Sequence, residues 1–235
     1  MSGALLTMDF ALASDSEGQV NRTIEHVTVA GRHVRVDVHG DAGCPTVLLL
    51  HGAGGLLADG GLMRRAARML ALHGMRACVV RYFHVTSTLF ATPANVREHG
   101  MEWVRAVGEV VRHYAGEDGV GLLGHALGGS LAVGAGFEMP EVVAVAVMNT
   151  GLVECQQDIV PLRVPPMLIL HGADDTRVPA PRVEAMERLA RQEGGFVDMV
   201  MYPREGHSFG PRTEADALRR VTGFFLARLG AGVPR

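Results

Sequence analysis

The run Val120-Gly121-Leu122-Leu123-Gly124-His125-Ala126-Leu127-Gly128-Gly129-Ser130 holds the spacing that says most about chemistry. An apolar stretch ends in G-x-x-x-G and passes directly into a helical pattern. Glycines at this spacing let strand and helix backbones approach with no Cβ between them, as a nucleophile elbow requires. The centre of such an elbow is Ser or Cys in strained backbone geometry at a helix N-terminus. The next backbone N–H donates to a developing oxyanion. Here the centre is Ala126, whose methyl group has no nucleophilic atom, and the donor position is Leu127. The glycine pair alone is also the mark of any tightly packed strand–helix contact.

Three further stretches sharpen the reading. Val47–Leu50 leads into His51-Gly52-Ala53-Gly54-Gly55, a loop whose Ala53 N–H is the candidate second oxyanion donor, with His51 organising the loop. Leu168-Ile169-Leu170-His171-Gly172-Ala173-Asp174-Asp175 places a carboxylate just past an apolar run, where it can orient an imidazole and stabilise its cation. Asp175 fits the H-G-x-x-D-x-x-V-P spacing, and Asp174 reads as its solvated or turn-capping neighbour. The loop Tyr202–Phe209 then supplies His207. Nucleophile position, acid and histidine follow in that chain order, each at a strand's carboxyl end, the edge where open α/β sheets bind ligands.

These loops need strands and helices to hold them. Ile24–Val29 and His33–Val38 alternate apolar with polar residues about a turn at Gly31, which predicts an antiparallel hairpin. Apolar-rich runs predict strands at 46–50, 76–81, 119–123, 142–148, 166–170 and 197–202, of which 46–50, 119–123, 142–148 and 166–170 read as buried. Helical patterns fall at 63–73, 96–114, 127–137, 181–192 and 214–229. Strand–helix alternation predicts an α/β fold with a mostly parallel sheet, an N-terminal antiparallel hairpin and helices on both faces. We expect an N-terminal arm over 1–23 and one domain over 24–235. The segment 149–164 is too short for a large lid, so the site should be open.

Composition narrows the function classes. The chain has 235 residues, 48% hydrophobic and 20% charged, with formal net charge -3. Every basic residue is arginine, and the arginines are scattered, so there is no electrostatic footprint for nucleic acid. Cys44, Cys78 and Cys155 are far apart and odd in number, which fits a reducing cytoplasm better than a disulfide framework. The N-terminus lacks the positive region of a signal peptide, and no apolar stretch reaches spanning length. Gly119-Val120-Gly121-Leu122-Leu123-Gly124 matches G-x-G-x-x-G, but these glycines straddle the strand instead of following it, which excludes a dinucleotide site. The remaining histidines show no metal-ligand spacing, so no metal or cofactor is expected. Ser130, one turn past Ala126, should point into helix packing and is a poor substitute nucleophile.

The strings VLLLHGAGG, GLLGHALGG, LILHGADDTRVP and YPREGHSF together resemble the dienelactone hydrolase family, in the α/β-hydrolase superfamily, over about residues 45–229. Arg81-Tyr82-Phe83 and the helix bearing Trp103 add to the likeness, and these three residues are candidates for contacting substrate. The resemblance implies hydrolysis of a small carboxylic ester, lactone or thioester by a nucleophile–His–Asp triad without metal or organic cofactor. It places Asp175 and His207 in the triad with Ala126 at the nucleophile position, and Ala53 and Leu127 in the oxyanion hole. The H-G-x-G-G loop differs from the acidic form of the type enzyme, which points away from dienelactone itself. Two readings of Ala126 remain. The favoured one is a hydrolase whose nucleophile was replaced, as deliberate substitution would leave it, and which is nearly inactive in covalent catalysis. The alternative is a native protein without a nucleophile that binds a ligand or performs general-base chemistry such as cyclisation or isomerisation.

Overall fold

The computed structural model describes residues 20–152 and 160–230. Most of the proposed N-terminal arm, Cys155 and the middle of the 149–164 segment lie outside the described residues. One eight-stranded sheet runs through the structure in the order β1-β2-β4-β3-β5-β6-β7-β8. The hairpin β1 (Arg22–Val29) and β2 (Arg32–His39) pairs antiparallel along its length, and β2 joins β4 (Arg76–Val80) antiparallel. From there β3 (Thr46–Leu50), β5 (Val120–His125), β6 (Val142–Met148), β7 (Met167–Gly172) and β8 (Val197–Tyr202) continue in parallel. The expected mostly parallel sheet with an N-terminal antiparallel hairpin is observed, and the hairpin forms one edge of the sheet.

Each central strand is apolar on both faces because helices cover both. Helices α2 (Pro93–Tyr114), α3 (Leu127–Glu138) and α4 (Ala180–Gln192) pack on the face that presents Leu48, Leu122 and Ile169. Helices α1 (Gly55–Leu72) and α5 (Pro211–Leu229) cover the opposite face at Leu49, Leu123 and Leu170. Helix α1 begins at Gly55, eight residues before the expected start at Met63. Gly55, Gly60 and Gly61 dilute the helical signal over that stretch, while tertiary packing overrides their low propensity. Helix α2 starts at a capping box, Thr92 with Asn95, and has Pro93 at its first position.

The chain reverses its direction of progress across the sheet at β3. From β3 it steps to β4 on one side, then crosses back to β5 on the other. Leu50 at the end of β3 pairs with Gly124 near the end of β5, so the loops leaving these two strands meet at the carboxyl edge. Such a switch point opens a crevice for a ligand.

Candidate active site

Ala126 follows β5 and caps α3 with φ 48° and ψ −119°, a conformation that L residues rarely adopt. Packing forces it. A Cβ on Gly124 would overlap the Gly128 carbonyl and Gly129 backbone, and one on Gly128 would overlap the Leu50 and His51 carbonyl oxygens. Strand and helix are therefore in backbone contact, and the turn joining them is sharp. The Ala126 N–H donates to the Met148 carbonyl at 3.0 Å, and the Thr150 hydroxyl donates to the Ala126 carbonyl at 2.6 Å. The elbow geometry is present in full around a methyl group.

Asp175 lies beyond β7 with its side chain buried. Its Oδ1 accepts the Arg177 N–H at 2.8 Å and the Val178 N–H at 3.0 Å, while Oδ2 accepts from His207 Nδ1 at 2.8 Å. Burial acts to raise its pKa, but the Val178 N–H and the His207 ring outweigh it and hold the carboxyl below the usual range. Burial lowers the pKa of His207, more than the Asp175 carboxylate raises it. His207 is thus neutral at pH 7, with Nδ1–H donating to Asp175 and Nε2 carrying the lone pair. Asp174 remains exposed in the turn.

Ala53, Ala126, Leu127 and His207 line one cavity of about 660 Å³. The Gly52 N–H is taken by the Asp59 carboxylate, whereas the N–H groups of Ala53 and Leu127 have no partner among the described residues. Ser130 reaches the cavity wall, but its hydroxyl donates to the Gly151 carbonyl at 2.7 Å and bonds the Thr150 hydroxyl. Among the described residues no group of three potential metal ligands converges, and no helix is long and apolar enough to cross a membrane.

Arg81, Tyr82 and Phe83 do not line this cavity, which corrects the expectation that they contact substrate there. The Arg81 guanidinium turns to Asp37 of β2, with Nη2 at 2.8 Å from Oδ2. Tyr82 is fully buried and its hydroxyl donates to the His51 carbonyl at 2.6 Å. Phe83 packs in the core against Trp103, with ring centroids 4.6 Å apart. These two aromatic rings support the β3–α1 loop from behind.

Several residues of the site have no sequence pattern. His125 Nδ1 lies 3.0 Å from Asp59 Oδ2, and its Nε2 lies 3.4 Å from the His207 carbonyl. The same carbonyl accepts from Asn149 Nδ2 at 2.9 Å, and Asn149 Oδ1 accepts the Gly172 N–H at 3.0 Å. Asn149, with φ 50°, thereby ties the ends of β6 and β7 to the histidine loop. Arg97, Arg177 and Arg182 reach the cavity from three separate elements.

The prolyl oligopeptidase family model matches residues 157–232, the stretch that carries Asp175 and His207. A search of curated proteins by sequence finds no match. Solved structures resemble the chain over most of its length. A dienelactone hydrolase from Anabaena variabilis is 18% identical, with 89% of this chain and 99% of that one covered and a TM-score of 0.68. A dienelactone hydrolase-like promiscuous phosphotriesterase from metagenomic libraries is 17% identical, with 90% and 99% covered and a TM-score of 0.76. Esterase 2 of Thermogutta terrifontis, solved phosphorylated by paraoxon, is 17% identical, with 91% and 96% covered and a TM-score of 0.71. With its sheet order and its helices on both faces, the chain has the α/β-hydrolase fold, similar to that of dienelactone hydrolases and related esterases.

Proposed function

We propose that this cavity is the acyl-transfer site of a hydrolase acting on a small carboxylic ester, lactone or thioester, with Ala126 in place of the nucleophile. The observation that carries the proposal is the Asp175–His207 hydrogen bond of 2.8 Å opening onto a cavity that also holds an elbow-shaped Ala126. With a serine at position 126, Oγ would attack the carbonyl carbon while His207 Nε2 takes its proton. The Ala53 and Leu127 N–H groups would receive the oxyanion. His207 would then protonate the leaving oxygen or sulfur, and water would release the acid by the same steps. Asp175 would keep the imidazole in the right tautomer and stabilise its cation.

The lining also suggests a substrate charge. Arg97 and Arg177 make no ion pair among the described residues, and Asp59, the cavity's acid, is already engaged by His125 and the Gly52 N–H. An acyl compound bearing a carboxylate fits such a wall better than a neutral one.

The test is Ala126→Ser, assayed on aryl esters and thioesters with and without a carboxylate. Paraoxon belongs in the panel because similar structures include a phosphotriesterase and an esterase phosphorylated by that compound. Hydrolysis that appears in the Ala126→Ser variant and vanishes on adding His207→Ala supports the proposal. Should Ala126→Ser stay inert while the unaltered chain converts a substrate by a His207-dependent route, the site works by non-covalent general-base chemistry instead.

A further inference from the structure

A second cavity, of about 530 Å³, lies on the other side of the β3–α1 loop: His51 and Gly55 line it, whereas Gly52, Ala53 and Gly54 line the first. Its size falls in the range of small-molecule sites. One wall is cationic, with Arg22, Arg64 and Arg81 facing a single acid, Asp37. Asp37 is buried and already saturated. Its Oδ1 accepts from Arg35 Nε and Nη2 at 3.0 and 2.7 Å, and its Oδ2 accepts from Arg81 Nε and Nη2 at 3.0 and 2.8 Å. Arg22 reaches only to 3.9 Å of that carboxylate, and Arg64 has no acid partner among the described residues. Positive charge is therefore left over. His39 and His84 feel it: burial first, then Arg22 for one and Arg81 for the other, holds both rings below the usual histidine range.

Much of the remaining lining is apolar. Leu57 and Leu89 are 87% and 74% exposed, and both line this cavity together with Leu56, Met63 and Phe83. Large apolar side chains exposed singly mean little, but two that line one cavity together with unspent guanidinium groups form a surface of mixed chemistry. A fork of guanidinium donors matches a carboxylate, and aliphatic side chains match an alkyl chain.

We propose that this second cavity binds an amphiphilic carboxylate, with its head on Arg22 and Arg64 and its alkyl chain against Leu57 and Leu89. The site is separate from the acyl-transfer site, and the proposal does not depend on the reaction assigned there.

Calorimetric titration of the full chain with octanoate, octan-1-ol and acetate tests it. Octanoate should saturate a site that Arg64→Ala weakens, and at that site the alcohol and acetate should each bind at least about tenfold more weakly, since one loses the charge and the other the chain. Arg64→Ala and Leu89→Asp, both at exposed positions, should each weaken octanoate about fivefold or more. Arg177→Ala, in the first cavity, should leave the affinity of that site unchanged, whatever it removes from binding at the first cavity. Absence of saturable octanoate binding overturns the proposal. So does equal affinity for octan-1-ol, or octanoate binding that weakens with Arg177→Ala and not with Arg64→Ala.

Discussion

The two halves of the candidate site are specified in different ways. The elbow around Ala126 is a backbone construction, imposed by Gly124 and Gly128, which leave the strand and helix no other path. The Asp175–His207 pair is a side-chain construction: a carboxylate held by two N–H groups and one imidazole, on loops from β7 and β8. The backbone half survives any small residue at its centre, because the packing of its neighbours sets its φ and ψ. The side-chain half exists only while its atoms do. An alanine at the centre thus supplies no nucleophilic atom and leaves the architecture intact, with the Asp175–His207 pair assembled beside a methyl group.

The largest effect should come from placing a hydroxyl at position 126. Ala126→Ser is expected to raise ester hydrolysis by on the order of 10³-fold or more, measured by steady-state kinetics on an activated aryl ester. The pH profile of that variant sharpens the contrast. His207 works as a base only when neutral, and burial depresses its pKa, so the rate should rise with pH through an apparent pKa below the ordinary histidine value. A limb centred above that value would mean that the elbow and the imidazole do not act together.

The elbow half should break at its glycines. Gly124→Ala and Gly128→Ala each put a methyl group into backbone atoms that cannot retreat, because they belong to α3, to the end of β3 and to His51 just after it. Each should cost about 3 kcal/mol or more in a denaturant titration, well beyond an ordinary overpacking change. A loss below about 1 kcal/mol would show that packing does not fix the turn.

The same division governs what the sequence makes legible. The central strands are readable because buried parallel strands are continuous apolar runs, as β6 is at 142–148; β8, an edge strand interrupted by Asp198 and mostly half-buried, still falls at 197–202 as expected. The elbow, the acid and the histidine were readable because each belongs to a local string with fixed spacing. Asp59 and His125 were not, since their pairing joins α1 to β5 across 66 residues and leaves no local pattern. Arg97, Arg177 and Arg182 converge only once α2, the β7–α4 loop and α4 are folded. Arg81 misled for the complementary reason. It stands at a strand's carboxyl end, where site residues gather, but Asp37 on β2 captures its guanidinium.

Acid should act on the backbone half through His51, in the loop that leaves β3. Its ring is buried, stacks on Tyr82 with centroids 4.4 Å apart, and bonds the Gly52 carbonyl through Nδ1 at 2.9 Å. Burial pushes its pKa down from 6.5 to about 4. Between those values the unfolded chain binds a proton that the native state refuses, so stability is intact above pH 6.5 and falls as the pH drops towards 4. The contribution lost is about 3 kcal/mol. Denaturant titrations across that window should show it, and His51→Asn should flatten that part of the profile. A His51→Asn profile as steep as that of the unaltered chain would place the acid sensitivity elsewhere.

The smallest effect tests the backbone half alone. Ala126 sits at φ 48° with a side chain, in a region where strain amounts to about 1–3 kcal/mol. Ala126→Gly relieves that strain. Against this stand the extra freedom of glycine in the unfolded chain, about 0.5–1 kcal/mol, and the burial of one methyl group, at most about 0.8 kcal/mol since the residue is only partly buried. The balance predicts a neutral to slightly stabilising change, up to about 1 kcal/mol, read as an unchanged or raised denaturation midpoint with no change in slope. An alanine in relaxed geometry would instead lose about 0.5–1 kcal/mol on becoming glycine. The sign of this one substitution therefore separates an elbow held in strain by its neighbours from an ordinary turn.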